Sequence, residues 1–252
     1  FAAFRATADR HPDKSFLCIP ARADRDYLPA GAEYSYGAAL DRIEALRSLY
    51  GDAGIGHGHR VALLVGNRPD YFFHLFALNA VGASAVPINP DSTPDDMLYA
   101  VTHSEADLAF AAGTRLADME AVAARRETRL PVFSAEAPPA RLPSPARAPK
   151  AGAPGRASEA ALLYTSGTTG RPKGCMISNE YFFTSGSWYL ARGGRLSFDP
   201  GATRLFNPCP VFHMNCGVLS VMAVALSASC LVLADRFHPK SWWADLVATR
   251  AT

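Results

Sequence analysis

Three glycines, four Ser or Thr hydroxyls and two cations lie within one run of eleven residues, YTSGTTGRPKG, from Tyr164 to Gly174. Glycines let the backbone turn its N–H groups towards a ligand, hydroxyls donate hydrogen bonds, and Lys173 adds a point charge. A polyphosphate needs all three. The spacing differs from that of the Walker loop, in which Gly and Lys are adjacent ahead of Ser or Thr, because Pro172 separates Arg171 from Lys173 here.

The same composition also suits a polar hairpin turn, because Gly, Ser and Thr are ordinary turn residues. The chain has 4 Lys against 21 Arg, so a Lys at this place departs from its general usage and modestly favours the phosphate interpretation. Pro172 predicts an excursion between two strands rather than a helical cradle. On composition alone both interpretations stay open.

A second candidate is His213, which follows a predicted strand and precedes an apolar helix. By residue type it is either a core or helix-start histidine with a satisfied hydrogen bond, or a ligand-contacting group. Cys209 and Cys216 flank it at a zinc-like spacing, but a structural zinc site takes four ligands and only three are present, so we disfavour a metal. We interpret Trp242 and Trp243 as packing residues, because no basic groove accompanies them.

The elements around these residues alternate between helices and short apolar strands. Val61 to Val65, for example, is apolar throughout, which predicts a strand covered on both faces, and Pro69 begins a helix that Gly82 ends. This alternation predicts an α/β fold with a mostly parallel sheet. Strands are predicted at 61–65, 83–88, 108–111, 131–133, 160–164, 175–178, 204–207 and 230–233, and helices at 36–50, 69–81, 94–102, 116–125, 179–191, 216–227 and 239–249.

A Pro-rich segment divides the predicted elements. Six of the nineteen prolines fall between Ala137 and Ala157, with four cations and no acid. This composition predicts an extended surface connection rather than a basic docking arm. We therefore predict a first α/β subdomain at 1–136, a linker at 137–157 and the start of a second subdomain at 158–252. Leu231 to Leu233 is expected at a sheet edge, open to a later strand.

Composition excludes several classes of protein. Hydrophobic residues make up 49% and charged residues 19%, which excludes disorder, and a net charge of +2 gives no reason to expect a nucleic acid partner. Five widely spaced cysteines favour a reducing compartment, so we expect the cytoplasm. The longest apolar run, Val218 to Leu233, is shorter than the roughly 18 residues of a membrane span. Because the chain starts without Met and stops after an apolar segment, we expect a fragment. A homo-oligomer is left open.

The eleven-residue run resembles the phosphate-binding signature of the adenylate-forming superfamily, which includes acyl-CoA synthetases, peptide-synthetase adenylation domains and beetle luciferases. HPDKSFL at 11–17, the stretch at 60–90 and NPCPVFHMNCGV at 207–218 resemble further segments of that family. The resemblance covers essentially the whole chain but only the first half or so of the family. The aromatic-Gly-x-Thr-Glu segment, the ribose-binding Asp, the hinge and the catalytic Lys of the C-terminal domain have no counterpart here.

The resemblance implies a truncated N-terminal domain with αβαβα layers. It also implies an ATP-dependent carboxylate–CoA ligase of fatty acid metabolism, which forms an acyl adenylate with release of pyrophosphate and then an acyl-CoA with release of AMP. The reactants would be a small carboxylic acid, ATP with Mg²⁺, and CoA. The PVFHMN segment resembles ligases of the carnitine, crotonobetaine and medium-chain type. The alternatives are a non-catalytic ATP-binding module and an adenylation domain that loads a carrier protein. We expect the fragment alone to be folded but inactive.

The site residues follow from the resemblance, position by position. Lys173 and His213 are implied as catalytic, with Lys173 on the phosphates and His213 beside the acyl carboxylate and the thiol tunnel. No Mg²⁺ ligand is implied in this half of the family. The β- and γ-phosphates would be wrapped by Thr165, Ser166, Gly167, Thr168, Thr169 and Gly170, and the acyl pocket would be lined by Phe212, His213, Asn215 and Cys216.

Overall fold

The computed structural model of the chain describes residues 1–165 and 171–252. The described residues form two compact units. Unit 1 contains Phe1–Arg42, Asn67–Pro69 and Tyr181–Thr252, and unit 2 contains Ile43–Gly66 and Asp70–Glu180. Each unit combines a sheet with helices, as the predicted α/β class requires.

Ten strands and eight α-helices alternate along the described chain. The strands are β1 Ser15–Ile19, β2 Ala32–Ser35, β3 Arg60–Leu64, β4 Ser84–Pro87, β5 Leu108–Ala111, β6 Val132–Ser134, β7 Glu159–Thr165, β8 Lys173–Ser178, β9 Arg204–Asn207 and β10 Cys230–Leu233. The helices are α1 Ala2–Arg10, α2 Tyr36–Asp52, α3 Pro69–Val81, α4 Pro94–His103, α5 Leu116–Ala124, α6 Asn179–Ala191, α7 Val221–Ser227 and α8 Trp242–Ala248. None of the helices in residues 1–165 and 171–252 is long and apolar enough to cross a membrane.

Unit 1 is built on a four-stranded sheet in the order β2-β1-β10-β9. Strand β10 pairs in parallel with β1 on one side and with β9 on the other. The expectation that Leu231 to Leu233 lies at a sheet edge is therefore wrong, because the N-terminal strand occupies that side. Buried rings form the core beneath the sheet, with Phe4 and Phe16 4.8 Å apart and Tyr36 packed against both.

Unit 2 is built on a six-stranded sheet in the order β6-β5-β3-β4-β7-β8. Its strands are parallel except for β8, which runs antiparallel to β7. Four of the five residues of β3 are buried, and Leu63 and Leu64 are 1% exposed. This burial on both faces confirms the strand predicted from the apolar run at 61–65.

His74 of α3 lies in the core of unit 2 with no exposed surface. Its Nδ1 is 2.6 Å from the hydroxyl of Tyr50, and its Nε2 is 3.2 Å from the carbonyl oxygen of Ala135. Burial lowers the pKa of His74 from 6.5 to about 4, and the hydrogen bond to Ala135 only partly offsets this. The imidazole is therefore neutral at pH 7.

The Pro-rich segment at 137–157 is part of unit 2 and is held by contacts within it. Its residues, all of them described, form no regular helix or strand. Arg147 makes two hydrogen bonds of 2.8 Å to the carboxylate of Asp107, and the backbone N–H of Lys150 donates to the carbonyl of His57 at 2.8 Å. The buried ring of His59 lies 2.9 Å from the carbonyl oxygen of Arg147.

The observed units differ from the subdomains predicted at 1–136 and 158–252. Strand β7, which follows the Pro-rich segment, joins the same sheet as β3 to β6 through its pairing with β4. The N-terminal strands instead join β9 and β10. Pairings between strands so far apart in sequence leave no local signal, and a boundary based on composition alone does not detect them.

Candidate functional site

Strands β7 and β8 form the antiparallel hairpin that carries the Gly-rich loop. Thr165 at the end of β7 pairs with Lys173 at the start of β8, and Tyr164 pairs with Gly174. Thr165 and Lys173 are both exposed, so a hydroxyl and an ammonium are accessible on neighbouring strands where the two strands open into the loop. The prediction of a strand on each side of the loop is confirmed. The remaining predicted phosphate-binding residues, Ser166 to Gly170, lie outside the described residues.

The hairpin emerges from the core of unit 2. Residues 160–163 of β7 are buried, and Ala161 pairs with Ala85 of β4. Gly174 packs on Leu162 so closely that a Cβ there would lie 3.1 Å from the Leu162 Cδ1 atom. A larger residue at this position would require the Leu162 side chain to shift by a few tenths of an ångström.

Two aromatic side chains of α4 contact the two arms of the hairpin. Tyr99 donates a hydrogen bond of 3.0 Å from its hydroxyl to the carbonyl of Pro172. His103 lies with its Nδ1 2.9 Å from the hydroxyl of Tyr164. The sequence analysis missed both residues, because a side chain that binds a backbone carbonyl or a hydroxyl far away in the sequence has no motif of its own.

The second candidate segment lies in unit 1, after β9. Phe212 and His213 are in a turn, with ring centroids 4.5 Å apart, and the His213 side chain is exposed. The His213 N–H donates to Pro210 at 3.1 Å, and its carbonyl accepts from the N–H of Gly217 at 2.9 Å. The exposed position leaves the imidazole accessible to a ligand and excludes a core histidine. His213 directly precedes the helical stretch that begins at Met214, so the helix-start interpretation stays open beside the ligand-contacting one.

A π-helical stretch, Asn215–Ser220, follows His213 and leads into α7. Asn207, the last residue of β9, donates from its amide to Asn215 at 2.9 Å and to Ser220 at 2.8 Å. Short π-helical insertions in helices are frequent at functional sites. Cys216 has no exposed surface, and burial raises the pKa of its thiol, so it is a protonated core residue.

Asn67, which follows β3 but belongs to unit 1, fixes the chain ahead of His213. Its amide donates to the carbonyls of Cys209 at 3.0 Å and Ala234 at 2.8 Å, and its Oδ1 atom accepts from the N–H of Val211 at 2.8 Å. The residue is 8% exposed. The sequence analysis did not single it out, although its position just after a buried parallel strand is where α/β folds commonly place functional residues.

The described residues fit a phosphate better than a metal ion. Thr165 and Lys173 supply a hydrogen-bond donor and a positive charge, and both are accessible. Within residues 1–165 and 171–252, no group of three or more His, Cys, Asp or Glu side chains is arranged to hold a metal.

The model of the family described as "AMP-binding enzyme" matches residues 4–252. The chain therefore belongs to the AMP-binding enzyme family, the adenylate-forming superfamily that the Gly-rich loop resembles.

Two curated CoA ligases illustrate the similarity. The crotonobetaine/carnitine–CoA ligase of Citrobacter koseri is 27% identical over 232 residues, which cover 87% of this chain and 44% of that protein. The sulfoacetate–CoA ligase of Cupriavidus necator is 29% identical over 250 residues, which cover 94% of this chain and 45% of that protein. The chain thus spans less than half the length of these two relatives.

Solved structures show the same fold. The O-succinylbenzoate coenzyme A synthetase of Bacillus subtilis, in complex with ATP and a magnesium ion, matches with a TM-score of 0.76 and 15% identity over 99% of this chain and 61% of that chain. The inhibitor-bound N-terminal domain of FACL13 from Mycobacterium tuberculosis matches with a TM-score of 0.78 and 20% identity over 99% of this chain and 60% of that chain. At these identities the likeness concerns the fold alone.

Proposed function

We propose that these residues are the N-terminal part of an ATP-dependent carboxylate–CoA ligase. One observation carries the proposal. In a chain of the AMP-binding enzyme family, the hairpin sets Thr165 opposite Lys173 at the two ends of the TSGTTGRPK loop. The relatives named above are CoA ligases, and this supports the same general reaction.

The first step would form an acyl adenylate. An oxygen of the substrate carboxylate bonds to the α-phosphorus of ATP, and the bond from that phosphorus to the bridging oxygen breaks, so that pyrophosphate leaves with the electron pair. Lys173, Thr165 and the loop between them would neutralise the charge that gathers on the leaving group. Mg²⁺, when bound with ATP, would supply further charge neutralisation.

The second step would transfer the acyl group to CoA. The CoA sulfur bonds to the acyl carbon, the bond from that carbon to the AMP oxygen breaks, and the thiol proton is lost. We assign recognition of the acid to the segment after β9, with His213 and Phe212 in contact with the acid, Asn215 beside them, and buried Cys216 supporting them from within unit 1. The exposure of His213 and its close contact with Phe212 support this assignment.

We further propose that the protein works in the cytoplasm, because its five cysteines, all among the described residues, are free thiols.

Acid-dependent exchange of labelled pyrophosphate into ATP tests the proposal. The full-length protein is assayed with a panel of carnitine, crotonobetaine, sulfoacetate and aliphatic and aromatic acids. Lys173→Ala should abolish most of the exchange, whereas Lys240→Ala, which removes another exposed lysine, should leave it intact. Exchange absent with every acid would contradict the proposed reaction, and ATP binding without exchange would indicate a non-catalytic module. Adenylate formation with transfer only to a carrier protein would indicate a loading domain.

A further inference from the structure

Helix α4 holds the second arm of the phosphate-loop hairpin through Tyr99. The Tyr99 hydroxyl donates to the carbonyl of Pro172 at 3.0 Å, and Pro172 directly precedes Lys173. The guanidinium carbon of Arg171 lies 5.3 Å from the centre of the Tyr99 ring, within the range of a cation–π contact. One side chain therefore contacts two consecutive residues just ahead of Lys173.

The first arm is held one helical turn further along α4. His103 stacks on Tyr99, with ring centroids 5.1 Å apart and an angle of 30° between the planes, and its Nδ1 is 2.9 Å from the Tyr164 hydroxyl. That hydroxyl also lies 3.3 Å from the carbonyl oxygen of Ala100. Burial raises the pKa of Tyr164 to about 12, so the hydroxyl stays protonated at pH 7. Tyr164 directly precedes Thr165.

Helix α4 is itself well fixed within unit 2. Its inner face buries Met97 and Val101 completely. Its first turn is capped by Thr93, whose side-chain oxygen accepts from the N–H of Asp96 at 3.2 Å. The helix is thus a rigid support, and contacts to it limit the movement of whatever they hold.

We propose that Tyr99 and Tyr164 are positioning residues for ATP. They fix the two arms of the hairpin to α4, so that Thr165 and Lys173 face the same phosphates before the nucleotide arrives. This inference rests on the proposed function. Because the arms are ordered in advance, ATP binding loses less conformational freedom. This saving in conformational entropy stabilises bound ATP and the transition state equally, so it lowers the KM for MgATP and leaves kcat nearly unchanged.

The test uses Tyr99→Phe and Tyr164→Phe in the full-length protein. Each variant loses one hydroxyl, and Tyr99→Phe keeps the ring that Arg171 and His103 contact. We expect the KM for MgATP in pyrophosphate exchange to rise about fivefold, which corresponds to about 1 kcal/mol. The KM for the acid should not change, and kcat should stay within twofold. Tyr50→Phe is the matched control, because it removes the 2.6 Å contact to His74 from the same unit. It should lower the melting temperature without raising the KM for MgATP.

Two results would overturn the inference while the proposed function stands. The first is a wild-type KM for MgATP in both variants. The second is an equal rise of the KM for MgATP in Tyr50→Phe, which would mean that any loss of stability in unit 2 raises this KM. If the wild-type protein shows no exchange, the proposed function fails, and calorimetric titration with MgATP still decides the inference. A fivefold weaker affinity in Tyr99→Phe would support it, and equal affinities, or no binding by the wild-type protein, would refute it.

Discussion

Replacing Asn67 with alanine should release the segment that carries His213. The change removes two donors and one acceptor, which bind the carbonyls of Cys209 and Ala234 and the N–H of Val211 at 2.8 to 3.0 Å. Two of these hydrogen bonds, those to Cys209 and Val211, join the segment itself, and each contributes about 1 kcal/mol net, so the local opening free energy should fall by about 2 kcal/mol. At about 1.4 kcal/mol per factor of ten, this corresponds to a roughly thirtyfold larger equilibrium constant for opening.

Amide hydrogen exchange measures this effect directly. The Val211 N–H donates to the Asn67 side chain, so a peptide spanning residues 207–217 should exchange about thirtyfold faster in Asn67→Ala. Asn79→Ala is the matched control, because it removes an asparagine hydrogen bond within unit 2, to Asn179 at 2.5 Å. The control should leave exchange at 207–217 unchanged.

The reasoning also predicts a functional effect. The KM for the acid should rise in Asn67→Ala, because the backbone on which Phe212 and His213 sit becomes mobile. Unchanged exchange at 207–217 in a folded Asn67→Ala protein would refute the reasoning. It would mean that other contacts hold the segment and that its two hydrogen bonds to Asn67 are incidental.

Three further changes have definite expected results. Lys173→Ala should raise the activation barrier of adenylation by about 2 to 4 kcal/mol and leave the acid affinity nearly unchanged. An unchanged adenylation rate in a folded variant would mean that the loop is a structural turn. His213→Ala should raise the KM for the acid or slow thioester formation, as quench-flow analysis of the two half-reactions would show. The pKa of His74 is about 4 in the folded protein and 6.5 in the unfolded chain, so protons bind the unfolded chain first as the pH falls. The free energy of unfolding should therefore be unaffected by His74 above pH 6.5 and should fall by about 3 kcal/mol between pH 6.5 and pH 4. Melting temperatures across this range should fall less steeply in His74→Gln.

Local patterns predicted most of the elements correctly. The strand at 108–111 and the helix at 179–191 have the bounds that their apolar residues and flanking turns indicated. The predicted helix at 216–227 is present, but its first part is π-helical. The last helix is shorter than predicted and spans Trp242–Ala248.

The N-terminal elements were missed because their signals are weak. Helix α1 buries only Phe4, Thr7 and Ala8, so its apolar stripe is narrow, and none of the four residues of β2 is fully buried. These elements depend on tertiary contacts, such as the pairing of β1 with β10. Propensity alone does not predict elements of this kind.

The residues of the candidate site also fall into those that the sequence predicts and those that it does not. Lys173 and Thr165 could be predicted because their residue types form a dense local pattern, and the strands on each side of the loop could be predicted with them. Asn67 and Tyr99 could not, because both act on backbone carbonyls from positions distant in sequence. Only the three-dimensional arrangement shows which segments they hold.

The fate of oxygen from the carboxylate tests the proposed ligase reaction most directly. The full-length protein is incubated with ATP, CoA and an accepted acid whose carboxylate carries ¹⁸O. Attack of the carboxylate on the α-phosphorus predicts one ¹⁸O atom in the AMP produced, together with an equal amount of acyl-CoA and unlabelled pyrophosphate. Label in inorganic phosphate, with ADP as the second product, would instead show an acyl phosphate and contradict the adenylate mechanism.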